Sequence, residues 1–346
     1  MKKVFLMAVA AVAMLASCSN DETTGKAVKG NAIQFDGFVN KSVKGAANDL
    51  NNTTFTSFQV WGLMSKGEQT GKPFDATTVN KSGSEWTYNG NVYWENGYNY
   101  SFVAIAPAGF GTFNAPSTVG EWGSIDFENG EGTTDLIYDI DDTYATNAVS
   151  TTTTCPDPID FTFNHLLSRV KFAFKNGMDD GSTINVTAVK ITNANTKATA
   201  TLGETATWAL AADNSTASLA FGNVILDDPA TDYAENETKE TDHKYMIPAT
   251  SADQKYTVTF TVTRHHSGVT DQYNHEVELP AVTMEQGKSY KFTAELNAQN
   301  ITGGDPDDPD NPQLCPIKFT ATVSDWAEFG DTEMPGYTIT DEGPEP

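Results

Sequence analysis

Apolar and polar residues alternate along most of this chain, and the period is two. In residues 161–174, Phe161 and Phe163 alternate with polar neighbours, as do Val170, Phe172 and Phe174. This is the pattern of a half-buried strand. The two runs have opposite parity, odd before Asn164 and even after Leu167. One residue must be absorbed between them, and the pattern predicts one long strand bent by a β-bulge near residues 164–166. Upstream, short aromatic or β-branched runs fall at 31–39, 55–64, 86–94, 98–107, 121–127 and 135–140. The first of these places Ile33, Phe35, Gly37 and Val39 on one face. Downstream, similar runs fall at 183–192, 197–202, 206–210, 216–221, 243–248, 255–264, 273–279, 288–296 and 317–323. Gly, Asn, Asp and Pro separate the runs, and Glu95-Asn96-Gly97 has the chemistry of a tight turn.

No apolar stretch of helical period and length follows the first fifteen residues, so helix should be minor. The pattern predicts an all-β protein of two tandem antiparallel sandwiches. Residues 31–155 would form the first and 156–333 the second, with a Thr-rich seam at 148–157. An acidic Pro/Asp insertion occupies 303–313, and a polar tail covers 334–346.

The N-terminus has a different pattern. Residues 1–3 are basic at Lys2 and Lys3, and 4–15 form an apolar run too short to cross a bilayer. Leu15-Ala16-Ser17-Cys18 then has the form of a lipobox, with small residues before a thiol able to carry a diacylglyceryl group. Residues 1–17 are therefore expected to be a lipoprotein signal peptide, Cys18 the lipidated residue, and 18–30 a polar tether. Ser19 argues against inner-membrane retention, and Asn20-Asp21-Glu22 is similar to the acidic export signals of surface lipoproteins. The expected location is the outer membrane and cell surface, by lipid anchor.

Composition narrows the function. Removing 17 residues leaves 329, with 19 basic against 46 acidic residues and a formal charge of −27. A chain so acidic is not a nucleic-acid binder. Once Cys18 is acylated, Cys155 and Cys315 are left and could form one disulfide in an oxidising compartment, a pairing that sequence alone does not establish.

Catalytic chemistry finds little support. There is no G-x-S-x-G, no phosphate-binding loop, no dinucleotide fingerprint and no C-x-x-C. His265 or His266 could face His275 across a hairpin, but a third metal ligand is not evident. The acidic run 305–310 lacks the glycine and distal glutamate of a calcium loop, and its prolines forbid that wrap. His165 lacks a nucleophile motif beside it and reads as a hydrogen-bonded corner residue. No carboxylate pair is singled out for glycoside hydrolysis. Trp61, Trp86, Trp94 and Trp122 read as core or turn anchors, with an exposed glycan platform as the alternative. No enzyme activity, cofactor or metal is expected.

Four motifs in order carry a resemblance to a family. They are W-E-N-G-Y-N-Y-S-F-V-A-I-A-P at 94–107, F-x-F-x-H-x-x-S-R-V at 161–170, E-Q-G-K-S-Y at 285–290, and I-K-F-T-A-T-V-S-D-W at 317–326. With the lipobox, they make the chain resemble the fimbrillins, lipoprotein subunits of type V pili. The resemblance implies that each sandwich is a transthyretin-like Greek key. It also implies that a trypsin-like protease removes the lipidated first strand, here carrying Ile33, Phe35 and Val39, and that a strand from another subunit fills the groove. Fimbrillins are usually cut after arginine, whereas this chain has only Arg169 and Arg264, neither near the first strand. Lys44, followed by Gly45 and Ala46, sits where the family places its cut, with Lys41 as the second choice.

Ile317, Phe319 and Val323 follow a stiff, self-repelling spacer and would either act as donor or close the second sandwich in cis. Residues 336–340 are the other donor candidate. The partners implied are other pilin subunits, in a self-polymer or a heteropolymer, and host or bacterial surface ligands through adhesion. The alternative is a non-polymerising surface lipoprotein that binds glycan or host ligand through its loops.

Overall fold

The computed structural model describes residues 32–39, 49–51, 54–95, 97–141, 158–213, 215–224, 237–249, 254–302, 316–326 and 337–339. Among these, twenty-one strands (β1 to β21 in chain order) accompany one four-residue helix, α1 (Ala298–Ile301). No described helix is long and apolar enough to cross a membrane.

Strand β5 (Asn99–Ala106) organises the first half. Seven of its eight residues are buried, so both of its faces meet apolar layers. It lies within a seven-stranded sheet ordered β1 (Phe35–Val39), β9 (Ile159–His165), β8 (Ile137–Asp141), β5, β2 (Ser57–Lys66), β3 (Gln69–Ser82) and β4 (Glu85–Tyr88). This sheet curls on itself. At one edge Ala32 bridges Tyr93, just beyond β4, and the Ile33 amide donates to the Val92 carbonyl at 2.8 Å. The concave face encloses an aromatic core that includes Phe35, Phe58, Phe74, Phe102, Phe161 and Phe163. On the convex face packs a four-stranded sheet ordered β13 (Thr207–Leu210), β12 (Lys197–Thr201), β7 (Ser124–Glu128) and β6 (Gly111–Asn114). Val103, Ile105, Ile125, Phe127, Leu166 and Ala200 fill the space between them.

The second half is a sandwich of two further sheets. One runs β15 (Thr238–Glu240), β10 (Ser168–Asn176), β19 (Lys288–Leu296), β20 (Thr320–Asp325) and β21 (Tyr337–Ile339), with β16 (Lys244–Met246) also on β10. The other runs β14 (Thr216–Gly222), β11 (Thr183–Asn195), β17 (Thr257–His266) and β18 (Val269–Glu278). Phe172, Phe174, Phe260, Phe292 and Phe319 lie at the centre of their shared core.

The all-β fold of packed sheets is as expected, one expectation needs correction, and the strand pairing adds two features that the sequence pattern does not carry. The parity change in 161–174 is not absorbed by a bulge: the strand ends at His165, and β10 begins at Ser168 in a different sheet. Leu166 and Leu167, both 0% exposed, cross between the halves and pack in the layer under β5. The division at residues 155 and 156 does not follow the strand pairing. Strand β9 is paired with β1 and β8, and the β12–β13 hairpin is paired with β7, so the first half borrows three strands from beyond residue 156. Nor is every pair antiparallel. Strands β1 and β9 run parallel, as do β10 and β19, the latter over eight residue pairs. In each case the partners are distant in sequence, which a parallel connection requires.

Candidate functional site

Strand β1 forms because its alternating side chains match the aromatic interior. Ile33, Phe35 and Val39 are 0%, 4% and 1% exposed. The Phe35 ring lies 5.0 Å from Phe74, 5.7 Å from Tyr88 and 5.9 Å from both Phe102 and Phe161. Gly37 occupies the third inward position, where a Cβ would sit 3.2 Å from the Phe163 ring and 3.6 Å from the Phe55 ring. The backbone is held mainly from one side, by the parallel ladder that sets Phe35 opposite Ile159 and Val39 opposite Phe163. The hold on its other side lies at the start of the segment. There the Tyr88 hydroxyl donates to the Ile33 carbonyl at 2.8 Å and accepts from the Val92 amide at 3.2 Å. Burial raises the Tyr88 pKa, which keeps the phenol a neutral donor.

Behind β9 the wall of this slot is thin. Strands β8 and β9 pair only at Ile137 with His165 and at Tyr138 with Asn164. Beyond those pairs, the Asp139 carboxylate accepts the Thr162 amide at 2.6 Å in place of a ladder partner. Burial pushes the Asp139 carboxyl up to about 6.

A buried polar joint between the two halves is built around Asp49. Arg169, 1% exposed, donates through Nη1 to Asp49 Oδ2, through Nη2 to the Trp326 carbonyl at 2.7 Å, and through Nε to Ser289 Oγ at 2.9 Å. Tyr245 donates to the other Asp49 oxygen at 2.6 Å. Burial first, and then the negative charges of Asp135 and Asp49, push the Tyr245 phenol far above its usual range. Asp135 bonds His165 Nδ1 at 3.0 Å and accepts the Leu50 amide at 2.8 Å. The Trp326 ring stacks on His165 at 4.2 Å and on Tyr245 at 5.5 Å, and the Arg169 guanidinium lies over it at 5.1 Å. A buried ion pair holds only where further hydrogen bonds satisfy both partners, as they do here.

This joint explains the signature residues. His165 and Arg169 of the F-x-F-x-H-x-x-S-R-V strand and Trp326 of the closing Asp-Trp meet at one place. Asp49, Asp135 and Tyr245 were not singled out by sequence, since each lies in a short polar or turn-rich stretch. The one available signal was an arginine inside a strand otherwise rich in buried apolar residues.

The structure separates the other candidates. Ile317, Phe319 and Val323 are each 4% exposed, and β20 lies between β19 and β21, so this segment closes the second sandwich in cis. His265 bonds Thr270 at 2.8 Å, His266 bonds Ser182 at 3.2 Å, and His275 stacks on Phe260 at 5.2 Å, so the three rings do not converge. Trp86 and Trp94 are buried, and Trp61 and Trp122 pack partly buried against the layer under β5, so these four form no exposed platform. Cys18, Lys41, Lys44, Cys155 and Cys315 lie outside the described residues.

Residues 46–326 match the fimbrillin-like family, and the chain belongs to it. It is thus a fimbrillin-like protein of the cell surface, from a family whose members associate as fimbrial subunits. Among solved structures it is similar to a proposed cell adhesion protein from Bacteroides ovatus, at 15% identity and a TM-score of 0.48, covering 85% of this chain and 97% of that one. A proposed cell adhesion protein from Parabacteroides distasonis matches at 13% identity and a TM-score of 0.47, covering 87% and 97%. The fimbrial anchor protein Mfa2 from Porphyromonas gingivalis matches at 10% identity and a TM-score of 0.36, covering 85% and 97%. No curated protein matches the chain.

Proposed function

We propose that this chain is a lipid-anchored subunit of a type V fimbria, assembled by loss of β1 and its replacement by a strand of another subunit, and serving adhesion. The carrying observation is β1 itself. It is an edge strand, paired along its length only with β9, yet it supplies Ile33, Phe35 and Val39 to the core. Its loss exposes a groove whose refilling is worth roughly 1.5–3 kcal/mol for each large side chain. Strand addition restores those contacts and the open β9 ladder together.

The lysines Lys41 and Lys44 fall between two fixed points, the buried Val39 and the clamped Asp49. A cut there severs the covalent link between β1, with its lipidated leader, and the rest of the chain, which the Asp49 clamp holds in the fold. The segment 317–325 is an unsuitable donor, because its departure would empty the second core of Ile317, Phe319, Ala321 and Val323. Strand β21 lies on the outer edge of β20 and pairs with it over three residues only, which makes it the donor candidate. An uncleaved subunit would serve as an anchor or as a solitary binding lipoprotein. The want of an arginine in residues 40–48 favours that second reading.

The double substitution Lys41→Ala with Lys44→Ala tests the assembly reading in cells that display the protein. The variant should remain on the surface but vanish from the high-mass fimbrial species on gels. Undiminished incorporation of the variant would overturn cleavage at these lysines.

A further inference from the structure

The slot that β1 fills is selective, and its selectivity follows from the four inward positions. The first takes Ile33 beside the Tyr88 hydroxyl, and the second takes Phe35 among Phe74, Tyr88, Phe102 and Phe161. The third admits almost no side chain, since a Cβ at Gly37 already stands 3.2 Å from the Phe163 ring. The fourth takes Val39. A methyl group at the third position is accommodated by a shift of a few tenths of an ångström in one aromatic ring, whereas a branched or longer side chain meets the rings of Phe55, Phe58 and Phe163 together. At the start of the slot the Tyr88 hydroxyl and the Val92 carbonyl bind the Ile33 backbone, which fixes how far an occupant slides along β9.

We infer that the slot accepts a foreign subunit strand of the form large aliphatic, aromatic, glycine or alanine, β-branched at alternate positions, and that it rejects this chain's own tail. The inference rests on the strand-replacement reading above and names the partner's chemistry. Within the chain the pattern I-x-F-x-small-x-V of residues 33–39 recurs at Ile317, Phe319, Ala321 and Val323. That copy is committed to the second core, where all four side chains are buried.

The tail offers no equivalent. With Tyr337 and Ile339 in the first two positions, Asp341 falls on the aromatic wall at the third. Moving one position back sets Ile339 there instead. A glycine reaches the third position in two further registers: Gly343, which puts Asp341 where the slot holds Phe35 and Glu345 where it holds Val39, and, in the other parity, Gly336. The Gly336 register supplies Thr332, Met334 and Thr338 where the slot holds Ile33, Phe35 and Val39, and it includes Pro335, which has no amide to give. The acceptor slot and the donor tail of one chain are therefore mismatched, which makes this subunit a partner in a mixed polymer.

The test uses the mature chain with a site-specific protease sequence placed between residues 40 and 48. After cutting, β1 stays bound without covalent attachment, and its release by excess synthetic peptide is followed by mass spectrometry. Four peptides are compared: the 33–39 sequence, that sequence with Gly37→Leu, the 317–323 sequence and the 332–340 sequence. The 33–39 and 317–323 peptides should exchange with β1. The Gly37→Leu and 332–340 peptides should exchange at least about tenfold less, since one misplaced large apolar group is worth about 1.4 kcal/mol or more. Equal exchange by all four would overturn the selectivity. Failure of even the 33–39 peptide to exchange would overturn the strand-replacement reading as well.

Discussion

Arg169 and Asp49 form a charged pair in a place almost closed to water, at 1% and 2% exposure, and the hydrogen bonds from Arg169 to Ser289 and the Trp326 carbonyl and from Tyr245 to Asp49 make that tolerable. Removing one partner leaves the other buried and unpaired, which is far costlier than losing a surface bridge. Asp49→Ala should therefore destabilise the protein by about 3–5 kcal/mol, read as a lowered midpoint in denaturant unfolding. An unchanged midpoint would mean that the joint contributes nothing to cohesion of the two halves. At this scale the sequence was partly legible. Arg169, His165 and Trp326 stand in recognisable motifs, but their acidic partners come from short polar stretches and are brought in only by the fold. Polar loops carry no periodicity, so nothing in them marks one aspartate among many as buried.

At the scale of elements, period-two patterning located most strands, because a half-buried strand writes its burial directly into alternation, but it missed β3, the longest, together with β6 and β15, whose residues are largely polar or exposed. Pairing was less legible. The opposite parities of 161–163 and 170–174 were visible, but a bulge and a change of sheet produce the same parity switch, and the structure uses the change of sheet. The β12–β13 hairpin likewise reads as part of the second half, and only its pairing with β7 shows that it covers the first. One element yields a pH prediction. His243 lies just before β16, where burial and then the charges of Arg169 and Lys171 lower its pKa from 6.5 to about 3. In the unfolded chain this imidazole takes up a proton as the pH falls below 6.5, while in the folded protein it does not until about 3. Stability is therefore lost progressively across that window as acid is added. The buried carboxyl of Asp139, raised to about 6, acts in the opposite sense between its ordinary value of 3.8 and 6, so the two must be separated by substitution. The wild type should lose more stability than His243→Gln between pH 6.5 and 4, as measured by unfolding midpoints at each pH. Parallel profiles would contradict the assignment.

At the scale of the whole molecule, the two halves are joined by the Leu166–Leu167 crossing, by the β12–β13 hairpin and by the joint around Arg169. The element poised to leave is held differently. Strand β1 contributes to one core only, is laddered to one neighbour, and connects to the rest of the chain through the lysine-bearing residues 40–48. The order of motifs along the sequence was enough to reveal the family, because that order reflects which strands meet. The selectivity of the slot was not legible, since Gly37 reads as an ordinary strand glycine until three aromatic rings are seen around it. The central claim is that β1 is shed on the cell surface and its slot refilled. The most direct test is the intact mass of protein sheared from cells, which reports its N-terminus. A start at Gly45, or just after Lys41, is the predicted result; recovery solely of chains beginning at acylated Cys18 would contradict it.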